Sequence, residues 1–295
     1  MRIPILILIS PLVLALTLAF ALTPKPGDGS VRDGAFLGKF VAAKAAIAPG
    51  ETIDIALWIR HDKGFHTYWK EPGIVGVQTE IEWAKSGGLK PGEIFWPQPQ
   101  RVKMGPYDAL GYEDEVFLVV PITAAPNAEP GTVAKLSGRA SFMICPAVLS
   151  ETETCYPGFV DLELEIPITA KPTGDTKWAK HIAAARATSA KPNTFWNAKA
   201  ERSGGKVKLT LSPREGVKIV LPKRPYFFSS DGQVHSDIEQ DIKHNAAGLI
   251  TVSMTLSEFG PQDATHLNGI LYTITGLPDG TGAKPIALAV PYSKR

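Results

Sequence analysis

Thr52-Ile53-Asp54-Ile55-Ala56-Leu57-Trp58-Ile59 is the stretch that decides the fold. Its aliphatic residues recur at every second position, which puts them on one face of an extended strand. They are Ile53, Ile55, Leu57 and Ile59. A strand with one apolar face must bury that face against another layer. The stretch therefore predicts a strand of a layered β-structure.

Short segments of this kind recur on both sides of the stretch, and glycines and prolines separate them. The sequence has 27 glycines and 25 prolines, which suits many turns between short strands. Strand candidates before residue 171 are 36–46, 52–59, 78–83, 116–122, 134–145 and 159–168. Candidates after residue 190 are 197–201, 206–211, 217–221, 249–256, 270–275 and 286–290. The sequence thus predicts an all-β fold of two sandwiches, the first with about seven strands.

One helix is predicted between the two series of strands. The segment 177–187 is rich in alanine, Asp175 or Thr176 can cap it, and Pro192 stops it. Gly204-Gly205 marks a hairpin turn in the second series. We predict a first sandwich over 34–170, a helical connector over 174–190 and a second sandwich over 193–295.

The N-terminus predicts export. Arg2 precedes an apolar run that ends in Ala19-Phe20-Ala21, a small-x-small pattern that signal peptidase recognises. We therefore expect a signal peptide over residues 1–21. The alternative is an uncleaved anchor, against which Pro4 and Pro11 argue. We expect no membrane span after cleavage, and an oxidising compartment for the mature chain.

Charge and motifs exclude several classes of function. Lys and Arg total 31 against 29 Asp and Glu, a net charge of +2, and no basic stripe stands out, so we expect no nucleic-acid partner. The six histidines lack HxxH or HxxxH spacing. A metal site that gathers His61, His66 and Met104 is the alternative to scattered histidines, and we predict no metal and no cofactor.

The only two cysteines are Cys145, at the end of one strand candidate, and Cys155, before the next. Alternation puts Phe142 and Ile144 on one face and Cys145 on the less apolar face, at the rim of the sandwich. A hairpin that closes here brings the two cysteines within the Cα separation that a disulfide needs. In an exported chain with two cysteines, we predict that they pair.

Two interpretations of this disulfide remain open from the residues alone. It is either a structural staple of a hairpin or a site of thiol–disulfide exchange. A sandwich of this size needs no staple, and a rim position gives access to a partner's thiol. Glu151 and Glu153 between the cysteines disfavour a thiolate, which favours a recipient of electrons over a strong oxidant.

An ordered series of motifs surrounds the cysteines. It comprises His66-Thr67-Tyr68-Trp69-Lys70-Glu71-Pro72-Gly73 with Gly76, Ile81-Glu82-Trp83, Trp96-Pro97-Gln98-Pro99, Gly111-Tyr112-Glu113, and Cys145 with Cys155-Tyr156-Pro157-Gly158. Over residues 35–170 this series resembles the N-terminal periplasmic domain of the membrane thiol–disulfide interchange reductases, the DsbD family with its ScsB-type relatives. Residues 185–290, with Ala185-Arg186-Ala187 and Tyr226-Phe227-Phe228, are similar to the second sandwich of ScsB-type members.

The resemblance implies immunoglobulin-like sandwiches in the periplasm, with Cys145 and Cys155 as the exchanging pair. It also implies a cap loop over Met104 to Leu110 that shields the disulfide, with Tyr107 over a sulfur. The implied electron donor is a thioredoxin-like or membrane disulfide reductase, and the implied acceptors are exported disulfide-containing proteins. The sequence holds neither the membrane domain nor the thioredoxin-like domain of the family, so we expect a separate protein to reduce it.

A non-catalytic envelope protein that binds other proteins, with a structural disulfide, is the alternative function.

Overall fold

The chain forms two β-sandwiches in a computed structural model that describes residues 28–73, 75–84, 86–151, 153–217, 225–245, 248–272 and 285–293. The predicted all-β class with one short helix is confirmed. The predicted signal peptide lies outside the described residues. Within them, no helix combines the length and apolar character that crossing a membrane requires.

The first module holds eleven of the strands in the described ranges. They are β1 Val31–Asp33, β2 Phe36–Ala42, β3 Thr52–His61, β4 Phe65–Tyr68, β5 Glu80–Trp83, β6 Leu89–Pro91, β7 Gln100–Met104, β8 Tyr107–Glu113, β9 Glu115–Ala124, β10 Val133–Pro146 and β11 Tyr156–Pro167. The first sheet has the order β1-β2-β3-β9-β6. The second has the order β11-β10-β4-β8-β7, and β5 pairs with β10.

The core between these sheets is built as the alternation predicts. The aliphatic face of β3 is fully or almost fully buried in it, while Phe142 and Ile144 of β10 enter from the opposite sheet. The rings of Phe36 and Phe142 stack with centroids 3.8 Å apart, which joins the two sheets directly.

The helix α1, Ala179–Thr188, packs on the outer face of the first sheet. Ile182 is buried there against Trp58 and Phe117, and Arg186 forms an ion pair with Asp54 of β3. Trp58 therefore faces the helix while its neighbours Leu57 and Ile59 face the main core. The connector thus also completes the packing of the first module.

The predicted cap is wrong for Asp175, and Thr176 is not the N-cap residue either. The N-cap residue is Trp178, which makes no side-chain cap bond, but the Trp178 amide donates to the Thr176 hydroxyl oxygen at 3.1 Å. Asp175 instead binds Lys44 at 2.7 Å, and the Thr176 hydroxyl donates to the carbonyl oxygen of Ala42 at 2.6 Å. Both side chains tie the connector to the first sheet, because a tertiary partner lies within reach of each.

The second module is a sandwich of two four-stranded sheets. Its strands are β12 Lys191–Pro192, β13 Trp196–Ser203, β14 Lys206–Pro213, β15 Tyr226–Ser229, β16 Asp241–His244, β17 Ile250–Thr255, β18 His266–Tyr272 and β19 Ile286–Pro291. The sheet orders are β12-β19-β18-β15 and β13-β14-β17-β16. The predicted turn at Gly204-Gly205 is confirmed, with φ of 57° and 72°. The strand candidates 217–221 and 270–275 fall partly outside the described residues.

The second module has a core of its own between its two sheets, and it also contributes buried side chains to the core of the first module. Trp69, which follows β4, is fully buried, and Phe228 of β15 meets it edge to face with ring centroids 6.1 Å apart. Ile270 of β18 belongs to the same cluster. Arg101 of β7 lies over the ring of Tyr226, 4.9 Å from its centroid. The second module therefore holds the segment that leaves β4.

We expect Phe228→Ala to lower the free energy of unfolding by about 3 kcal/mol, because it opens a cavity against Trp69. Phe259→Ala is the matched control, since Phe259 lies in the same module with 70% of its surface exposed. It should change stability by less than about 0.5 kcal/mol. Urea unfolding measures both, and equal effects would contradict a stabilising contact between the modules at Trp69 and Phe228.

Candidate functional site

The disulfide joins the two cysteines one position beyond the last pair of the β10–β11 ladder, because β11 begins at Tyr156. Ile144 of β10 pairs with Tyr156 of β11, so the next position of the same register sets Cys145 against Cys155. Their Cα atoms are 4.1 Å apart and their sulfurs are bonded. Opposite residues of an antiparallel pair approach to about this distance. The predicted pairing is confirmed.

The disulfide lies on the outer face of the second sheet, inside a small apolar cluster of its own. We call Cys145, Tyr68, Val102 and Ala109, with the partly buried Val75, Met104, Met143 and Cys155 around them, the disulfide cluster. Cys145 is fully buried, and Cys155 is half-buried. The expected access at the rim therefore exists on the Cys155 side alone.

The segment that follows β4 covers Tyr68 of the disulfide cluster. The Leu110 amide donates to the carbonyl of Pro72 at 2.8 Å, which turns the chain back over the sheet. Gly76 then packs directly on the Tyr68 ring, so that a Cβ added to Gly76 would overlap the ring atoms. Its φ of 95° is one that glycine adopts without strain. This cover continues from Trp69, which the second module holds.

The predicted cap loop is a β-hairpin. Met104 of β7 pairs with Tyr107 of β8 across the turn Gly105-Pro106. Met104 packs against the disulfide cluster, whereas Tyr107 leaves 47% of its surface exposed. The side chain of Leu149, from the loop between the cysteines, lies over Gly105, 3.0 Å from where a Cβ would stand. The shielding role of Met104 and Tyr107 stays a prediction.

His66 lies on β4, directly opposite Cys145 of β10, and is fully buried. Neither ring nitrogen has a hydrogen-bond partner among the described residues, and the Tyr68 hydroxyl also lacks one. The two rings meet edge to face at 5.0 Å. Burial, with a smaller contribution from His61, lowers the pKa of His66 to about 4, so its imidazole is neutral near pH 7. Each buried polar group left unpaired costs on the order of 1–3 kcal/mol. His66 was predicted only as part of the motif series and of the alternative metal site.

His61 is a second buried imidazole, but its nitrogens are occupied. Nε2 lies 3.0 Å from the Thr67 hydroxyl, and Nδ1 lies 3.3 Å from the carbonyl oxygen of Asp114. Burial lowers its pKa to about 4. In the described part of the chain, no three His, Cys, Asp or Glu side chains gather in a way that would hold a metal ion.

The loop between the cysteines is an exposed turn beside the disulfide. The Ser150 amide donates to the carbonyl of Glu153, and the Glu153 amide donates to the Ser150 hydroxyl, both at 2.9 Å. Glu151 and Glu153 point to solvent. Val148 leaves 74% of its surface exposed, and Leu149 leaves 42%. Because exposed apolar side chains often mark contact surfaces, this loop offers one next to the half-buried sulfur.

Residues 36–167 match the family model described as thiol:disulfide interchange protein DsbD, N-terminal. This confirms the resemblance for the first module. The solved N-terminal periplasmic domain of ScsB from Proteus mirabilis matches with a TM-score of 0.61 at 16% identity, over 90% of this chain and 98% of that one. Because this match covers 90% of the chain, the similarity in fold includes both modules.

A conserved domain protein from Bacillus anthracis gives a TM-score of 0.23 at 10% identity, over 90% of this chain and 89% of that one, too low to indicate a shared fold. No curated protein sequence matches the chain.

We expect Gly76→Ala to destabilise the protein by roughly 3 kcal/mol, because the new methyl group displaces the Tyr68 ring and strains a left-handed backbone. Gly131→Ala is the matched control, since φ is 91° there and nothing lies within 4 Å of the new Cβ. It should cost about 1 kcal/mol from the backbone alone. Thermal unfolding and the rate of disulfide reduction by dithiothreitol measure the difference. Equal behaviour of the two variants would contradict the covering role of Gly76.

Proposed function

Because residues 36–167 match the DsbD N-terminal family, we propose that this chain exchanges disulfides with partner proteins through Cys145 and Cys155. It relays electrons from a separate thioredoxin-like or membrane disulfide reductase to exported disulfide-containing proteins. The observation that carries the proposal is the disulfide itself, which joins one buried and one half-buried sulfur within the matched module.

The difference in burial supports an order of events. Exchange begins when a thiolate attacks one sulfur of a disulfide and expels the other. Since Cys145 is fully buried and Cys155 is not, the donor's thiolate attacks Cys155 Sγ. A mixed disulfide forms at Cys155, the Cys145–Cys155 bond breaks, and Cys145 leaves as a thiolate that takes up a proton.

A second thiol of the donor then completes the transfer. It attacks the donor's own sulfur in the mixed disulfide and releases Cys155. The donor ends as a disulfide and this chain ends as a dithiol, so two electrons have moved. The same steps in reverse order reduce the disulfide of an acceptor.

The periplasm is the compartment that we propose for this reaction. The ScsB relative is named as a periplasmic domain, and residues 1–21 have the pattern of a signal peptide. An oxidising compartment also keeps the disulfide intact between encounters with the donor.

Full burial of Cys145 supports a second candidate, a non-catalytic envelope module that binds other proteins. In that case the disulfide holds the hairpin of β10 and β11. Such a bridge contributes on the order of 3 kcal/mol to stability.

A thioredoxin without its resolving cysteine serves as the probe, since its mixed disulfide persists. We expect the oxidised protein to capture it at Cys155 in at least about tenfold excess over Cys145, because Cys145 is fully buried whereas Cys155 is only half-buried. Peptide mapping by mass spectrometry locates the adduct.

A variant with both Cys145→Ser and Cys155→Ser is the control. The relay predicts a folded variant that captures no probe. Absence of any adduct with the wild-type protein, together with a loss of about 3 kcal/mol in the double variant, would establish the structural bridge instead.

A further inference from the structure

Four side chains form one row across adjacent strands of the second sheet. Cys155 directly precedes β11 and is bonded to Cys145 of β10, with Cα atoms 4.1 Å apart. Cys145 pairs with His66 of β4, and His66 pairs with Glu113 of β8. Directly opposite residues of antiparallel strands point to the same face, with Cβ atoms about 4.5–5.5 Å apart. His66 therefore stands between the buried sulfur and a carboxylate.

In the oxidised protein the imidazole of His66 packs edge to face against the Tyr68 ring. Both ring nitrogens are buried and lack a partner among the described residues. Buried polar atoms are nearly always hydrogen-bonded, so a native orphan at this position calls for an explanation. The bonded Cys145 sulfur is a poor acceptor, whereas a thiolate at the same place is a strong one. A thiolate at Cys145, on the paired position of the neighbouring strand, would be an acceptor of this kind for the His66 N–H.

We propose that His66 donates a hydrogen bond to the Cys145 sulfur as the disulfide opens and so stabilises the leaving thiolate. This inference rests on the proposed exchange at Cys145 and Cys155. Burial keeps His66 neutral, and a neutral imidazole still carries one N–H to donate. Without that donor, the Cys145 thiolate would form in an apolar cluster with no compensation for its lost hydration.

The step balances without a further reagent. The donor's thiolate forms its bond to Cys155 Sγ, and the electron pair of the Cys145–Cys155 bond moves to Cys145 Sγ. His66 N–H binds that thiolate, which then takes from solvent the proton that the donor's thiol had released. The donor's sulfur is oxidised and the disulfide is reduced.

Three other titratable side chains lie near His66 and could influence its hydrogen bonding. Glu113 lies opposite His66 on β8, and Tyr68 lies two positions along β4. His61 contributes electrostatically to the lowered pKa of His66. Tyr68 is the matched control, because its hydroxyl is also a buried orphan yet lies outside the row of cysteines. Tyr68→Phe removes one buried polar atom and leaves His66 in place.

The experiment follows ionisation of the buried Cys145 thiol against pH by the ultraviolet absorbance of its thiolate, in a Cys155→Ser background that leaves one thiol. We expect His66→Phe to move the midpoint of the titration profile upward by about one pH unit, roughly a tenfold smaller fraction of thiolate near neutral pH. His66→Gln keeps an N–H donor and should recover most of the shift. Tyr68→Phe should match the parent. A parental profile in His66→Phe, or an equal shift in Tyr68→Phe, would overturn the proposal.

A second measurement needs no substitution at His66. The ¹⁵N signals of the His66 ring in the otherwise unaltered protein should change when dithiothreitol reduces the disulfide, and unchanged signals would overturn the proposal. Neither readout uses a protein partner. Failure of the wild-type protein to capture the thioredoxin probe contradicts the exchange function, whereas capture without any effect of His66 contradicts this inference alone.

Discussion

The register between β10 and β11 is the constraint on which the site depends. Twelve paired positions run from Val133 and Pro167 to Ile144 and Tyr156. A slip by one residue would turn the apolar face of each strand to solvent, so burial of the core fixes this alignment. The same alignment sets Cys145 against Cys155. The core of the first module thereby positions a disulfide that lies outside it.

The outer face of the second sheet would normally meet solvent, and here it carries a second apolar layer. The cover over the disulfide cluster comes from segments that are distant in sequence, namely the chain after β4 and the hairpin of β7 and β8. Trp69 connects the first of these covers to Phe228 of the second module. Packing between the modules thus holds this cover in place. Cys155 is the half-buried cysteine of the pair and remains the side from which a partner can approach.

The strands with clear alternation were predictable, and the site was predictable only in part. The alternation of β3 and β10 placed the core face and put Cys145 on the other face, as the structure has them. β4 and β7 were not predicted because they have only four and five residues. β8 was not predicted because both of its faces are buried, Leu110 in the main core and Ala109 in the disulfide cluster, so it lacks a simple alternation. The orphaned nitrogens of His66 depend on three strands meeting, a relation that spacing along the chain does not encode.

The reduction potential of the Cys145–Cys155 disulfide, measured at equilibrium with a glutathione buffer, tests the central claim most directly. The reduction potential of an exchange site must be close enough to those of thioredoxin-like partners, which run from about −270 to −120 mV, for electrons to pass between them. We therefore expect a value above about −300 mV. A value well below about −300 mV, with no exchange with thioredoxin-like proteins, would identify the disulfide as a structural bridge and contradict the account.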